Sequence, residues 1–240
     1  MDDRHIAIIP ARGGSKGVPR KNLVPIGGRP LLEYTVLAAM ESGVFAAVVV
    51  STEDDEIASV ARGVGASVIS RPVELAQDTT QTEPVMAHAL ALAEEASGAT
   101  FDYVWLLQPT SPLRDAADIR SAADVLCTRG VDSVIGLIEE HVFRWRTIGT
   151  AFGAILVEPD YEPACRPRRQ EMEVELRETG AVYGVSRAVW NETGVRVGGR
   201  VGTFVLEPTH ALDVDTLDDV AYVDWLLSSR SADAEMQHPR

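Results

Sequence analysis

The residue types and spacing best suited to chemistry lie just past the first apolar run of the chain. There the sequence reads Pro10-Ala11-Arg12-Gly13-Gly14-Ser15-Lys16-Gly17-Val18-Pro19-Arg20-Lys21-Asn22, a glycine-rich stretch with four cations between Arg12 and Lys21. Glycines let a backbone approach phosphate oxygens closely and aim N–H groups at them. Arg12 and Lys21 can neutralise charge that develops on a pyrophosphate leaving group. The loop is neither a Walker loop nor the GxGxxG dinucleotide fingerprint. Gly63-Val64-Gly65 comes nearest to the latter, but it falls where a helix should end and reads as a C-cap. Of the 22 basic residues only Lys16 and Lys21 are lysines, and both sit in this loop. A compact ammonium on a flexible stem does what arginine's planar fork does not, so lysine retained in an arginine-biased chain points to a geometric demand.

Two further constellations carry oxygen ligands or donors. In Leu212-Asp213-Val214-Asp215 a period-2 alternation puts both carboxylates on one face. Such a pair can seat Mg²⁺, which takes one or two carboxylates and completes its shell with water and substrate phosphates. Alternatively, Asp215 or Thr216 caps the helix that follows, which makes Asp213 the preferred ligand. Leu107-Gln108-Pro109-Thr110-Ser111-Pro112-Leu113-Arg114 is a proline-stiffened turn. It either presents Gln108, Ser111 and Arg114 to a base or ribose, or is a strand-to-helix turn capped by Asp115. Cys165-Arg166-Pro167-Arg168-Arg169-Gln170, with Arg177 downstream, suggests an anionic ligand; pairing with Glu171, Glu173, Glu175 and Glu178 is the competing reading. His88, His141 and His210 form no Ser-His-Asp ordering.

The elements that must hold these residues alternate. Strand patterns run from about residue 5 to 11 and over Ala46 to Ser51, Ala66 to Ile69, Tyr103 to Leu107 and Ser133 to Ile138. Helical patterns fall near 30 to 42, opened by Pro30, and at Asp54 to Gly63, Glu83 to Ala96 and Ala116 to Arg129. That rhythm predicts an α/β fold, a Rossmann-like, mostly parallel sheet with helices on both faces, whose ligand sites lie beyond the carboxyl ends of the strands. The rhythm breaks at 139–179, where charge and proline density rise, so an inserted arm is expected there. The sheet resumes at Ala181 to Val185 and Thr203 to Leu206, before a helix near Leu217 to Leu227. The predicted organisation is therefore a core over 1–138 and 180–229, the arm over 139–179 and a flexible tail over 230–240.

Composition narrows the classes. With 240 residues and 45% apolar content, one sizeable core needs no staple. The two cysteines match no metal-ligand spacing and fit a reducing compartment. A formal charge of −14 argues against nucleic-acid partners. No apolar run is long enough for a membrane span, and no signal peptide precedes the first strand, so the expectation is a cytoplasmic protein without a membrane partner.

Taken together and in order, the loop Ala11 to Gly17 with Lys21-Asn22, the turn Gln108 to Arg114 and the terminal Asp213-Val214-Asp215 resemble the N-acylneuraminate (CMP-sialic acid) cytidylyltransferases. Phe143-Arg144-Trp145, Arg166 to Gln170 and Gly180-Ala181-Val182-Tyr183 resemble segments of that family's inserted region. The resemblance implies a nucleotidyltransferase-type fold that dimerises through the arm. It implies Mg²⁺-dependent reaction of CTP with an acidic nine-carbon 2-keto sugar, giving the CMP-sugar and pyrophosphate. It implies that Arg12, Gly13, Ser15, Lys21 and Asn22 hold the triphosphate and ribose, and that Arg71, Thr80 and Gln108 surround the cytidine. Asp213 and Asp215 would hold Mg²⁺, with Arg12, Lys21 and Asp213 as the catalytic set. Gln108, Arg144, Arg168, Arg169, Arg177 and Tyr183 would face the acid sugar.

Two departures fall on the sugar side: Thr179 stands where many members have Asn, and a proline often found beside the histidine near His141 is missing. They open the choice of acid to legionaminic, pseudaminic or Kdo-like acids or a phosphonate. A metal-dependent Asp-x-Asp glycosyltransferase is a further alternative, although its acidic pair normally follows a mid-chain strand.

Overall fold

The computed structural model describes residues 4–237. Its centre is β1 (His5–Pro10), where Ile6, Ala7, Ile8 and Ile9 are all fully buried. Ala7 and Ile9 point into one core and Ile6 and Ile8 into the other, so this strand is covered on both faces. Each isoleucine so enclosed contributes ~1.5–3 kcal/mol by leaving water. After the glycine-rich loop come a short 3₁₀ turn (Lys21–Leu23) and a small hairpin of β2 (Pro25–Ile26) and β3 (Arg29–Pro30). The chain then enters α1 (Leu31–Ser42), β4 (Ala47–Thr52), α2 (Asp55–Gly63) and β5 (Ser67–Ser70). α3 (Thr82–Ser97), β6 (Tyr103–Leu106), α4 (Ala116–Thr128) and β7 (Ser133–Glu140) follow.

Local signals start and stop these helices. Asp54 caps α2 by accepting the N–H groups of Glu56 and Ile57, each at 3.0 Å. Asp115 and Asp118 form a capping box on α4. Gly43 and Gly98 end α1 and α3 in the left-handed conformation.

The inserted segment is built around a hairpin of β8 (Trp145–Ala151) and β9 (Ala154–Pro159), paired as its own two-stranded sheet. Its turn places Phe152 at φ 55° and Gly153 at φ 78°, the pair of positive φ values a tight two-residue turn needs. The chain returns through β10 (Glu175–Ser186), then α5 (Arg187–Thr193), β11 (Val201–Val205) and α6 (Leu217–Gln237). β10 begins six residues before the Ala181 expected from the sequence. β7 and β10 therefore extend the main sheet to Glu140 and from Glu175, leaving 141–174 outside it. α6 continues to Gln237, past residue 230 where the sequence reading starts a tail; the last three residues lie outside the described ones.

The main sheet has seven strands in the order β11-β7-β10-β6-β1-β4-β5. β10 is antiparallel to both neighbours and every other pairing is parallel. α1, α2 and α4 pack on one face, through residues such as Val36, Ile57 and Ile119. α3 and α5 cover the other, through Met86, Leu90 and Trp190. The chain order reverses at β1: β4 lies on one side and β6 on the other. A crevice therefore opens beyond the carboxyl ends of β1 and β6, the position where doubly wound sheets take their ligands.

Candidate active site

That crevice is a cavity of about 580 Å³. The segment leaving β1 forms one wall, and close packing explains Gly13 and Gly17, while a Cβ on Gly14 would meet nothing. A Cβ on Gly17 would come within 2.3 Å of the Asp215 carbonyl oxygen, so only glycine lets the loop cross the carboxyl-terminal segment there. The loop is stitched down at three points. Asn22 Nδ2 donates to the Arg12 carbonyl at 2.9 Å, Gly13 N–H donates to Glu53 Oε1 at 2.7 Å, and Lys21 Nζ donates to the Val214 carbonyl at 2.9 Å. Lys21 also pairs with Asp215 Oδ1 at 2.8 Å, which joins the first and last thirds of the sequence at the cavity floor.

Of the residues the sequence assigns to the nucleotide, Arg12, Ser15, Lys21, Asn22, Arg71, Thr80 and Gln108 all line this one cavity. Gly13 lies behind the lining, held by Glu53. Asp215 lines the cavity with them. The expected alternation holds at the acidic pair: Val214 is fully buried while Asp213 and Asp215 keep solvent-facing surface. The competing reading, that Asp215 or Thr216 caps the following helix, holds for Thr216, which shares that work with Asp219, and not for Asp215. Asp219 N–H donates to Thr216 Oγ1 at 3.2 Å, and Thr216 N–H donates to Asp219 Oδ2 at 2.7 Å.

Electrostatics differ across the site. Crowding by the surrounding chain pushes the Asp213 carboxyl above the ordinary aspartate range, and the nearby Asp215 and Asp219 carboxylates add to the shift. A Thr110 hydroxyl contact and Lys21 oppose it. On the opposite wall, Asp78 bridges Arg12 at 2.7 Å and Lys16 at 2.8 Å, and those cations hold its carboxyl below the usual range. Asp78, Thr110 and Glu53 are site residues that sequence reasoning missed. Asp78 and Glu53 reach the loop from 66 and 40 positions away with no local pattern to mark them, while Thr110, inside the Gln108 to Arg114 turn, meets the acidic segment at Asp213 and Val214.

The turn after β6 contributes differently from expectation. Gln108 lines the cavity, but Ser111 is fully buried and Arg114 is 1% exposed. Arg114 Nη1 donates to the Ala181 carbonyl at 2.9 Å and faces away from any ligand, with burial lowering its pKa to about 10. Asp115 caps α4, so the capping alternative holds for the second half of this turn.

The residues assigned to the acid sugar do not assemble within the chain. Arg144 pairs with Glu175, and Arg177 pairs with Glu140. Arg168 opens a 3₁₀ turn, its N–H donating to Glu171 at 3.2 Å, and Arg169 lines a separate cavity with Glu139 and His141. Tyr183 is buried beneath Arg196 and its hydroxyl donates to Glu178; burial and that carboxylate push its pKa up. Of the six, only Gln108 reaches the main cavity. Thr179 also stays inside the fold: its hydroxyl donates to the Gly136 carbonyl at 3.0 Å and accepts the Ala181 N–H at 3.2 Å.

A doubly wound sheet with a cationic, glycine-rich loop at its switch point is the architecture of a nucleotidyltransferase-type fold. Among solved structures, the CMP:2-keto-3-deoxy-manno-octonic acid synthetase complexed with CTP superposes with a TM-score of 0.65 at 18% identity, over 95% of this chain and 100% of that one. The sequence profile of the cytidylyltransferases matches residues 6–151, and the chain belongs to that family. N-acylneuraminate cytidylyltransferase A of Danio rerio is 35% identical over 224 residues, 92% of this chain and 49% of that protein. The post-translational flagellin modification protein B of Campylobacter coli is 29% identical over 96% of this chain and 97% of its own length. The chain spans about half the length of the N-acylneuraminate relatives it matches.

Among the described residues no helix is long and apolar enough to cross a membrane.

Proposed function

We propose that the protein transfers a cytidylyl group from CTP to an acidic nine-carbon 2-keto sugar of the sialic-acid type, releasing pyrophosphate, as a cytoplasmic homodimer. The observation that carries this reading is the convergence of Arg12, Ser15, Lys21, Asn22, Arg71, Thr80 and Gln108 on one cavity with Asp215. In it, the loop residues bind the triphosphate, with Arg12 and Lys21 facing the charge that passes to pyrophosphate. Arg71, Thr80 and Gln108 surround the cytidine. The sugar hydroxyl attacks the α-phosphorus in line with the departing pyrophosphate, and the protein's contribution is mainly positioning and charge stabilisation.

The residues fit a Mg²⁺ ion. Burial raises the Asp213 pKa and the nearby Asp215 carboxylate adds to the rise, so two acidic groups stand together, Asp215 on the cavity lining with Lys21 bound to it and Asp213 two residues before it. Bound there, Mg²⁺ would neutralise phosphate oxygens and orient the displacement. Asp213 and Asp215 would hold it, while Lys21, already on Asp215, turns toward the phosphates.

The acid sugar would meet Arg144, Arg168, Arg169, Arg177 and Tyr183 only after the arm packs on a second copy. Exposed Trp145, Ile148, Phe152 and Ile155 on the hairpin support such a contact. A different acid is a second reading, favoured by the likeness to a flagellin modification protein whose length this chain nearly matches. The deciding experiment measures pyrophosphate release with CTP, Mg²⁺ and a panel of acid sugars, omitting each component in turn. Release that requires CTP and one particular acid supports the reaction and identifies the acceptor. Release from CTP with no acid, or from none of the panel, counts against it.

A further inference from the structure

Glu53 has no part in the chemistry proposed above, yet both of its carboxylate oxygens are engaged behind the cavity wall. Oε1 accepts the Gly13 N–H at 2.7 Å, and Oε2 accepts Arg71 Nη2–H at 2.7 Å and Nε–H at 3.3 Å. The Arg71 side chain is 4% exposed and that of Glu53 19%. Backbone registration fixes the same spot: the Arg71 N–H donates to the Thr52 carbonyl at 2.9 Å and the Ala11 N–H to the Ser51 carbonyl at 3.0 Å. One edge of the guanidinium is therefore clamped. Among the described residues Nη1 has no protein partner, and Arg71 lines the cavity.

We infer that Glu53 is a positioning residue that sets selectivity for the cytosine base, by fixing the Arg71 fork and tying it to the phosphate loop at Gly13. The inference rests on the cytidylyl reading of the cavity. A guanidinium has donors only. Cytosine offers acceptors at both O2 and N3, whereas uracil carries a hydrogen on N3, so a fixed donor accepts one base and meets the other donor to donor. A fork free to swing would lose that discrimination, because a site rejects a wrong partner only when its polar groups cannot relax. Glu53 suits the role because both groups it holds are donors and only an ionised carboxylate accepts on both oxygens.

Steady-state kinetics with CTP and with UTP, on wild type, Glu53→Gln and Glu53→Asp, test this. A glutamine can accept at one position and must present its NH₂ to the other donor. Glu53→Gln is expected to raise KM for CTP about tenfold while kcat stays within about threefold. The CTP-over-UTP ratio of kcat/KM should fall about tenfold, and Glu53→Asp should recover part of it. Equal losses on both nucleotides, or an unchanged ratio, would overturn the inference and leave the cytidylyl reading intact. If wild type releases pyrophosphate from neither nucleotide, the cytidylyl reading itself fails and takes the inference with it. Should Glu53→Gln fail to fold, Arg71→Lys carries the same test. An ammonium cannot be clamped along two donors, so an unchanged ratio there overturns the inference as well.

Discussion

The glycine-rich loop and the inserted arm both carry clusters of cations, and they use them in opposite ways. In the loop, Arg12, Lys16 and Lys21 converge on one cavity, braced by a fully buried strand on one side and by Val214 on the other. In the arm, Arg146 pairs with Glu158 across the exposed hairpin strands, Arg144 and Arg177 pair with Glu175 and Glu140 where the arm leaves the main sheet, and apolar side chains of the hairpin point outward. A site is complete where the sheet can position it from both faces. Where a hairpin stands apart from the core, the same residue types pair locally and wait for another surface.

The contrast breaks most sharply at Lys21. Lys21→Ala is expected to lower pyrophosphate release by about 10²–10³-fold, the scale of one lost transition-state donor. An Arg144→Ala protein assayed for CTP binding by calorimetry should match wild type. A second test separates the halves through association: Ile148→Asp with Ile155→Asp on the hairpin should yield a monomer by light scattering. It should lose acid-sugar turnover while keeping CTP affinity; if it stays a dimer, the arm is not the interface.

The metal pair sharpens the picture through pH. The raised Asp213 pKa means its proton is retained to a higher pH than on an ordinary aspartate, so Mg²⁺ affinity should weaken as pH falls through that raised value. Asp213→Asn should remove this acid limb and increase the Mg²⁺ needed for half-maximal rate by about tenfold. The smallest effect belongs to the hairpin turn. Phe152 holds a left-handed conformation, and Phe152→Gly should stabilise the arm by about 1 kcal/mol in hydrogen exchange without altering the nucleotide site.

Much of the core was readable from periodicity and caps. The unbroken apolar run Ile6-Ala7-Ile8-Ile9, Pro30 ahead of α1, and Asp54 and Asp115 at helix starts each have a local physical cause that acts in the sequence as it does in the structure. The hairpin escaped because its turn uses Phe152-Gly153 in place of the usual Asn-Gly signal. The start of β10 escaped because its pairing shifts between Glu178 and Tyr183, around Thr179-Gly180, so the inward and outward positions change over mid-strand. Short α5, capped by Ser186, is too brief for a helical period to emerge. At the site, single-segment motifs such as Arg12 to Asn22 were legible. For Arg114 the sequence leaves a ligand contact and a structural turn both open, because an arginine in a polar turn gives no local sign that it will be buried. Glu53 and Asp78 were missed because their partners lie on other elements.

The bridge from Asp78 to Arg12 and Lys16 gives the cavity a resident anion. A triphosphate arriving there competes with a tethered carboxylate and does not meet bare cations. Ligands are thereby graded by charge density: chloride and inorganic phosphate gain little by displacing Asp78, while a chain of three phosphates reaching from Lys16 to Lys21 gains at several points at once. On the proposed reading the loop is a threshold that a single small anion does not pass and a chain of phosphates does.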